Sequence, residues 1–239
     1  MNIKNEINLL KKDSNKNFNL ALIFCTIILF IYCYFGTFTF FENTFTNCPN
    51  IEYWKIIYHN SMSFVLFFVI GLIFSKFVLK NDLAFIKFKF NNKKFCLYIF
   101  LAIFLITPIV ALFSTLDKNM TSTYPLIDFS LYEIWQILLY FLSYFLYYIG
   151  WEFLFRGILF FNSKEKCGVV GTILLTTLIS ALIHTSIASF GKPMIETLSA
   201  IPAGLIFGYI TFKSDNIYLS LLAHTCIGFL TDIFIFLLI

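Results

Sequence analysis

Charge is scarce in this chain. Only 13% of its 239 residues are Asp, Glu, Lys or Arg and 59% are hydrophobic, against the roughly 25% and 45–50% usual for soluble domains. Water is therefore not the main solvent of the chain, and a soluble globular protein is excluded. The six cysteines, Cys25, Cys33, Cys48, Cys96, Cys167 and Cys226, lack the close pairing that a zinc knuckle or redox motif requires, and read as small apolar residues. No internal repeat or low-complexity linker interrupts the chain. The first apolar stretch lacks a small-residue cleavage site after it, so it is expected to stay as a helix rather than leave as a signal peptide. The net charge of +4 falls mainly in short loops, where orientation and anionic lipid account for it better than nucleic acid does.

What is present is a series of apolar runs of about 20 residues, near 19–41, 61–79, 96–116, 131–161, 169–188, 194–212 and 217–239. These predict an all-α fold, a polytopic membrane helical bundle of about seven transmembrane helices, with the lipid bilayer as its first partner. Lys4, Lys11, Lys12 and Lys16 hold the N-terminus in the cytoplasm under the positive-inside bias. The lysine-bearing loops 80–94, 162–167 and 213–216 then share that side, while 42–60 and 117–130 face outward. A multi-pass protein of the cell membrane is expected. The 33 Phe reflect coding bias and are assigned no role.

Residues 1–116 supply N-terminal transmembrane helices without a buried ionisable cluster, and 117–130 break the chain before a chemically marked core over 131–234. Ser130 and Glu133 have capping-box spacing and predict a helix start there. Within that helix, Glu152 and Arg156 lie one turn apart on one face, close enough to pair and so lower the cost of holding either charge at membrane depth. An ionisable side chain in such a place marks a functional site by default. His184 and His224 add two imidazoles on later spans. At about 1.5 Å rise per residue, Glu152 comes out roughly 15 Å and His224 roughly 10–13 Å from the cytoplasmic end, whereas His184 comes out deeper, at roughly 20 Å, unless its helix begins late after Gly168 and Gly171 or is tilted.

Trp151-Glu152-Phe153-Leu154-Phe155-Arg156-Gly157, His184, Pro202 through Tyr209, and Lys213 through Tyr218 to His224, taken in order, resemble the CPBP intramembrane proteases. That family includes CAAX prenyl endopeptidases and bacteriocin-processing and abortive-infection proteins, and the resemblance covers about 131–234. It implies a helical membrane bundle with a polar cavity opening to the cytoplasm, cleaving a peptide or membrane-protein substrate near the membrane surface. Carried over by position, Glu152 matches the second glutamate of Glu-Glu-x-x-x-Arg, Arg156 its arginine, His184 the second-motif histidine and His224 the third-motif histidine. Trp151 stands where the first glutamate belongs, Ser180 replaces the motif phenylalanine, and Gly228 replaces the motif asparagine or aspartate. In a second register, Ser189-Phe190-Gly191-Lys192-Pro193 with Glu196 resembles a family variant, and Ser189 rather than His184 takes the histidine position.

The catalytic set expected is Glu152, His184, His224 and Arg156. Glu152 would remove a proton from water held with His184, Arg156 would hold Glu152, and His224 would donate to the developing oxyanion. The cofactor is none or a zinc ion, since Glu152, His184 and His224 make the ligand count of an open zinc site, although no His-Glu-x-x-His helix is present. A catalytically inactive binding, immunity or regulatory protein is the alternative. A proton-relaying transporter is a third reading, opposed by the lack of an inverted repeat. Gly204 and Gly208 predict a close helix–helix approach, and His59 reads as an interfacial anchor.

Overall fold

The computed structural model describes residues 15–83, 86, 91–185 and 192–239. Lys4, Lys11, Lys12 and Ser189 lie outside the described residues. The elements in order are α1 (Lys16–Phe35), α2 (Phe38–Thr44), α3 (Ile51–Phe77), α4 (Lys93–Ser114) and α5 (Lys118–Thr123). There follow α6 (Ile134–Glu152), a π-helical segment (Phe153–Leu159), α7 (Phe160–Ile183), α8 (Met194–Ser214) and α9 (Tyr218–Leu238). The protein is a multi-pass helical membrane bundle, with no β-strand among the described residues.

Among the described residues six runs, against the about seven expected, are long and apolar enough to cross a membrane. The expected spans 131–161 and 169–188 overlap a single run, Ile134–Ile183, because the anticipated loop at 162–167 is helical. This run is broken only at Gly168, whose φ of +66° and ψ of 173° suit glycine alone. The Ser163 hydroxyl reaches that of Thr172 at 3.3 Å, although a straight helix would separate those backbones by about 13 Å. The chain therefore folds back at Gly168. The arm from there to Ile183 is about 22 Å long and runs back along the bundle.

The start of the marked core also shifts. Asp128 accepts the Ser130 amide at 2.9 Å and its hydroxyl at 2.7 Å, which closes a single 3-10 turn, Phe129–Leu131, and holds the Asp128 carboxyl below its usual range. With Ser130 so engaged, α6 begins at Ile134, and the Glu133 amide donates to Gln136 Oε1 at 3.0 Å.

Hydrogen bonds between loops define the two ends of the bundle. Asn17 donates to the Leu79 carbonyl at 3.3 Å, Asn81 to Asn162 at 3.2 Å and Asn91 to Asp215 at 3.0 Å. Leu79, Asn81, Asn91, Asn162 and Asp215 thus share one end, the lysine-bearing one. At the other end Tyr124 donates to Glu196 at 2.7 Å, and Tyr53 to the Gln136 carbonyl at 2.9 Å.

One apolar core joins helices from both halves of the chain, with Ala21, Tyr32 and Phe67 packed in the same cluster as Tyr147, Phe155 and Ile158. A Cβ on Gly150 would lie 2.5 Å from the Ser63 carbonyl oxygen, so α3 and α6 touch backbone to backbone there. Gly204 packs on Thr177 and Gly208 on Ile173, which realises the expected close approach as a contact between α8 and α7. His59 is not an interfacial anchor. It is buried, its Nδ1–H donates to the Gly36 carbonyl at 2.6 Å, and its Nε2 lies 3.0 Å from the Tyr32 hydroxyl, so it ties α3 to the end of α1.

Candidate active site

The last turn of α6 and the π-helical segment bring the two charges together. Glu152 closes the regular helix, and the wider turns of Phe153–Leu159 carry Arg156, a geometry frequent at functional sites. Arg156 Nη1 donates to Glu152 Oε1 at 3.3 Å, with the side chains 2% and 0% exposed. The guanidinium also faces the Phe207 ring at 5.7 Å. Phe153, Leu154, Phe155, Ile158 and Leu159 are all buried around this turn. With so little water near, each charge depends on the other.

His224 arrives from α9 and completes the group. Its Nδ1 lies 2.8 Å from Glu152 Oε1. A carboxylate accepts, so Nδ1 carries the proton and Nε2 is left with its lone pair. The imidazole packs between Tyr148, at 4.4 Å between ring centroids, and Phe207, at 5.4 Å. His184 terminates α7, where its Nδ1–H donates to the Ser180 carbonyl at 2.7 Å, so its Nε2 too is an acceptor. Its own carbonyl accepts from Thr197 at 2.8 Å, which ties it to α8.

The fold-back at Gly168 resolves the depth mismatch of His184. Glu152 and His184 are equally far from Gly168 along the sequence, so two helical arms hinged there bring them level. Trp151, the neighbour of Glu152, meets the His184 ring edge-on at 5.5 Å.

His184, His224, Arg156 and Trp151 line a cavity of about 800 Å³. Most of its wall is apolar, with Ile99, Ile103, Ile106 and Val110 of α4 on one side. Glu152 is not on the wall. It stands behind His224, as a carboxylate that orients an imidazole does. The cavity continues past Gly228 and Thr231 to Asp117, Tyr124 and Glu196, at the end of the bundle away from the lysine-bearing loops.

Of the expected site residues, Glu152, Arg156 and His224 form one hydrogen-bonded group, and His184 shares the cavity with two of them. Among the described residues no three His, Cys, Asp or Glu side chains are grouped to hold a metal ion.

The structure adds groups that the sequence reading left without a role. Glu196 lines the cavity, pairs with Lys192 Nζ at 2.8 Å and accepts from Tyr124. Tyr148 lines it too, one helical turn before Glu152, a spacing that places both on one face and was a usable signal. Trp151, in the family's first glutamate position, is 2% exposed and stacks on Tyr147 at 5.6 Å.

Helices that span a membrane and enclose ionisable side chains around one cavity define an intramembrane site. Residues 133–230 match the family model described as Rce1-like, type II CAAX prenyl endopeptidase Rce1-like, which supports membership of the CPBP superfamily over that part of the chain. The matched stretch carries Glu152, Arg156, His184 and His224. No curated protein and no solved structure matches the chain.

Proposed function

We propose that the protein is an intramembrane endopeptidase that hydrolyses a membrane-associated peptide or protein in the cavity bounded by His184 and His224. The observation that carries this reading is the 2.8 Å hydrogen bond from His224 to Glu152 behind the cavity wall, which makes the outward imidazole nitrogen a base. Water, held between the two imidazoles, gives a proton to His224 Nε2 as its oxygen attacks the scissile carbonyl. The Glu152 carboxylate stabilises the imidazolium that results, and Arg156 holds Glu152 in place. His224 then returns the proton to the leaving amine. The proton-accepting role expected of Glu152 passes to His224 in this scheme, because Glu152 is fully buried and its Oε1 is engaged by both neighbours. No metal enters it.

The positive-inside bias places the lysine-bearing end, with the N-terminus, in the cytoplasm of a cell-membrane protein. The cavity wall reaches Asp117, Tyr124 and Glu196 at the opposite end, which supports entry of substrate from the outer half of the bilayer. This departs from the cytoplasmic opening that the family resemblance implies, and it favours leader-type or exported peptides over cytoplasmic prenylated tails.

The test is cleavage by the full chain in proteoliposomes. The probes are a quenched bacteriocin-type leader peptide, a quenched peptide ending in an S-farnesylated Cys-aliphatic-aliphatic-X sequence, and the unprenylated form of the latter. Cleavage of at least one is expected, with His224→Ala and Glu152→Gln each lowering turnover by at least about 10²-fold while the protein stays folded. The stacked indole of Trp151 at the family's glutamate position favours a second reading, a family member that binds without cleaving. A native chain inert on all three probes, with Trp151→Glu gaining activity, establishes that reading instead.

A further inference from the structure

Gly228 has no room for a side chain. A Cβ placed on it would lie 1.9 Å from the Tyr148 hydroxyl oxygen and 2.8 Å from the ring carbon that bears it. No real Cβ approaches an oxygen so closely, so the Tyr148 hydroxyl fills the space where any other residue at 228 would begin its side chain. That hydroxyl comes from α6, one turn before Glu152, and the glycine from α9, one turn after His224. Tyr148 and Gly228 therefore meet across the helix pair that the Glu152–His224 hydrogen bond joins one turn further along.

The tyrosine is fixed there. Its side chain is 4% exposed, its ring packs against His224 at 4.4 Å, and Tyr144 stacks on it at 4.8 Å. Tyr148, Gly228 and His224 all lie on the cavity wall. A phenol keeps its proton at neutral pH and donates one hydrogen bond. Held rigidly in an apolar wall beside the proposed base, such a donor is worth far more than it would be in water.

We infer that Tyr148 is a further catalytic residue, the donor that stabilises the oxyanion of the tetrahedral intermediate, and that Gly228 is glycine to admit its hydroxyl. This rests on the hydrolytic reading above. As the water oxygen bonds to the scissile carbon, the carbonyl π pair moves onto the carbonyl oxygen, and the Tyr148 O–H hydrogen-bonds to that oxygen without giving up its proton. The water proton goes to His224 Nε2. When the intermediate collapses the pair returns, the C–N bond breaks, and the leaving nitrogen takes the proton from His224. His224 thereby serves as base and acid, and the donor duty expected of it passes to Tyr148.

Tyr148→Phe keeps the ring and its packing and removes only the donor. With whichever peptide the native protein cleaves, kcat is expected to fall by about 10²–10³-fold with KM little changed, the usual cost of removing such a donor. Gly228→Ala is expected to lower kcat as well, by displacing the hydroxyl. The double variant Tyr148→Ala with Gly228→Asn, which clears the ring from the space and puts an amide donor into it, is expected to recover a measurable part of the turnover lost in Tyr148→Ala alone. A merely structural tyrosine would not be rescued that way.

A readout without turnover is the affinity for a peptide phosphonate, a tetrahedral anion, compared with that for its parent amide. Tyr148→Phe should weaken the phosphonate selectively. Native cleavage with Tyr148→Phe fully active, or equal weakening of phosphonate and amide, overturns the assignment and leaves the protease reading standing. A native chain that neither cleaves a probe nor prefers the phosphonate overturns both.

Discussion

Removing the Arg156 guanidinium should be the most costly single change near the site. Arg156→Met keeps most of the side-chain volume but strips Glu152 of its cationic partner at 3.3 Å, in a place where the two side chains are 2% and 0% exposed. Breaking a buried pair from one side costs about 3–5 kcal/mol, because the charge left behind has no water to turn to. Glu152 keeps its 2.8 Å bond to His224, which puts the expected loss near the lower end, about 3 kcal/mol. In a chain of this size that lowers the melting temperature by about 6–12 °C. Glu152→Gln, which retains shape and hydrogen-bonding capacity, should cost less. Combining Glu152→Gln with Arg156→Met removes both charges and should recover most of the loss, since a neutral isosteric replacement of a buried pair is often tolerated. The assay is thermal unfolding of the detergent-solubilised variants, followed by tryptophan fluorescence and checked against purified yield. An Arg156→Met protein that melts with the native one, or a double variant that melts below Arg156→Met, would show that the charges are not coupled in a dry site.

Gly168→Ala should lower stability by about 1–3 kcal/mol through backbone strain alone, since a Cβ at that position meets nothing within 4 Å. It should also reduce turnover, because the fold-back there sets the level of His184, and an unchanged melt would place the hinge elsewhere. In a background with the native cysteines removed, Asp117→Cys at the far end of the cavity should react with a membrane-impermeant maleimide added to intact cells. Lys213→Cys should react only after permeabilisation, and the reverse pattern would invert the proposed orientation.

Much of the architecture was legible because lipid imposes a coarse constraint that composition reports directly. A chain this poor in charge must bury its backbone polar groups in helices, so the helical class and most spans could be read from apolar run length. The Glu152–Arg156 pair was legible for a local reason, since one helical turn fixes which side chains can meet. The anomaly of His184 was visible as well, as a depth that did not match its partners.

Gly168 was legible as a place where the helix of His184 could begin late, but the fold-back itself was not, because one glycine at positive φ turns an expected loop into a helical hinge, and hydropathy does not encode a dihedral angle. Nor could spacing show that Glu152 would stand behind His224 rather than face the cavity. That depends on how α6 and α9 rotate against each other, which their packing decides. The tyrosine hydroxyl in the space beside Gly228 is the same kind of fact. Sequence determined which side chains would be costly to bury and which neighbours on one helix could pair. Only tertiary structure decided which groups from different helices share a space, because that contact depends on interhelical distance and rotation, which no periodicity along a single chain records.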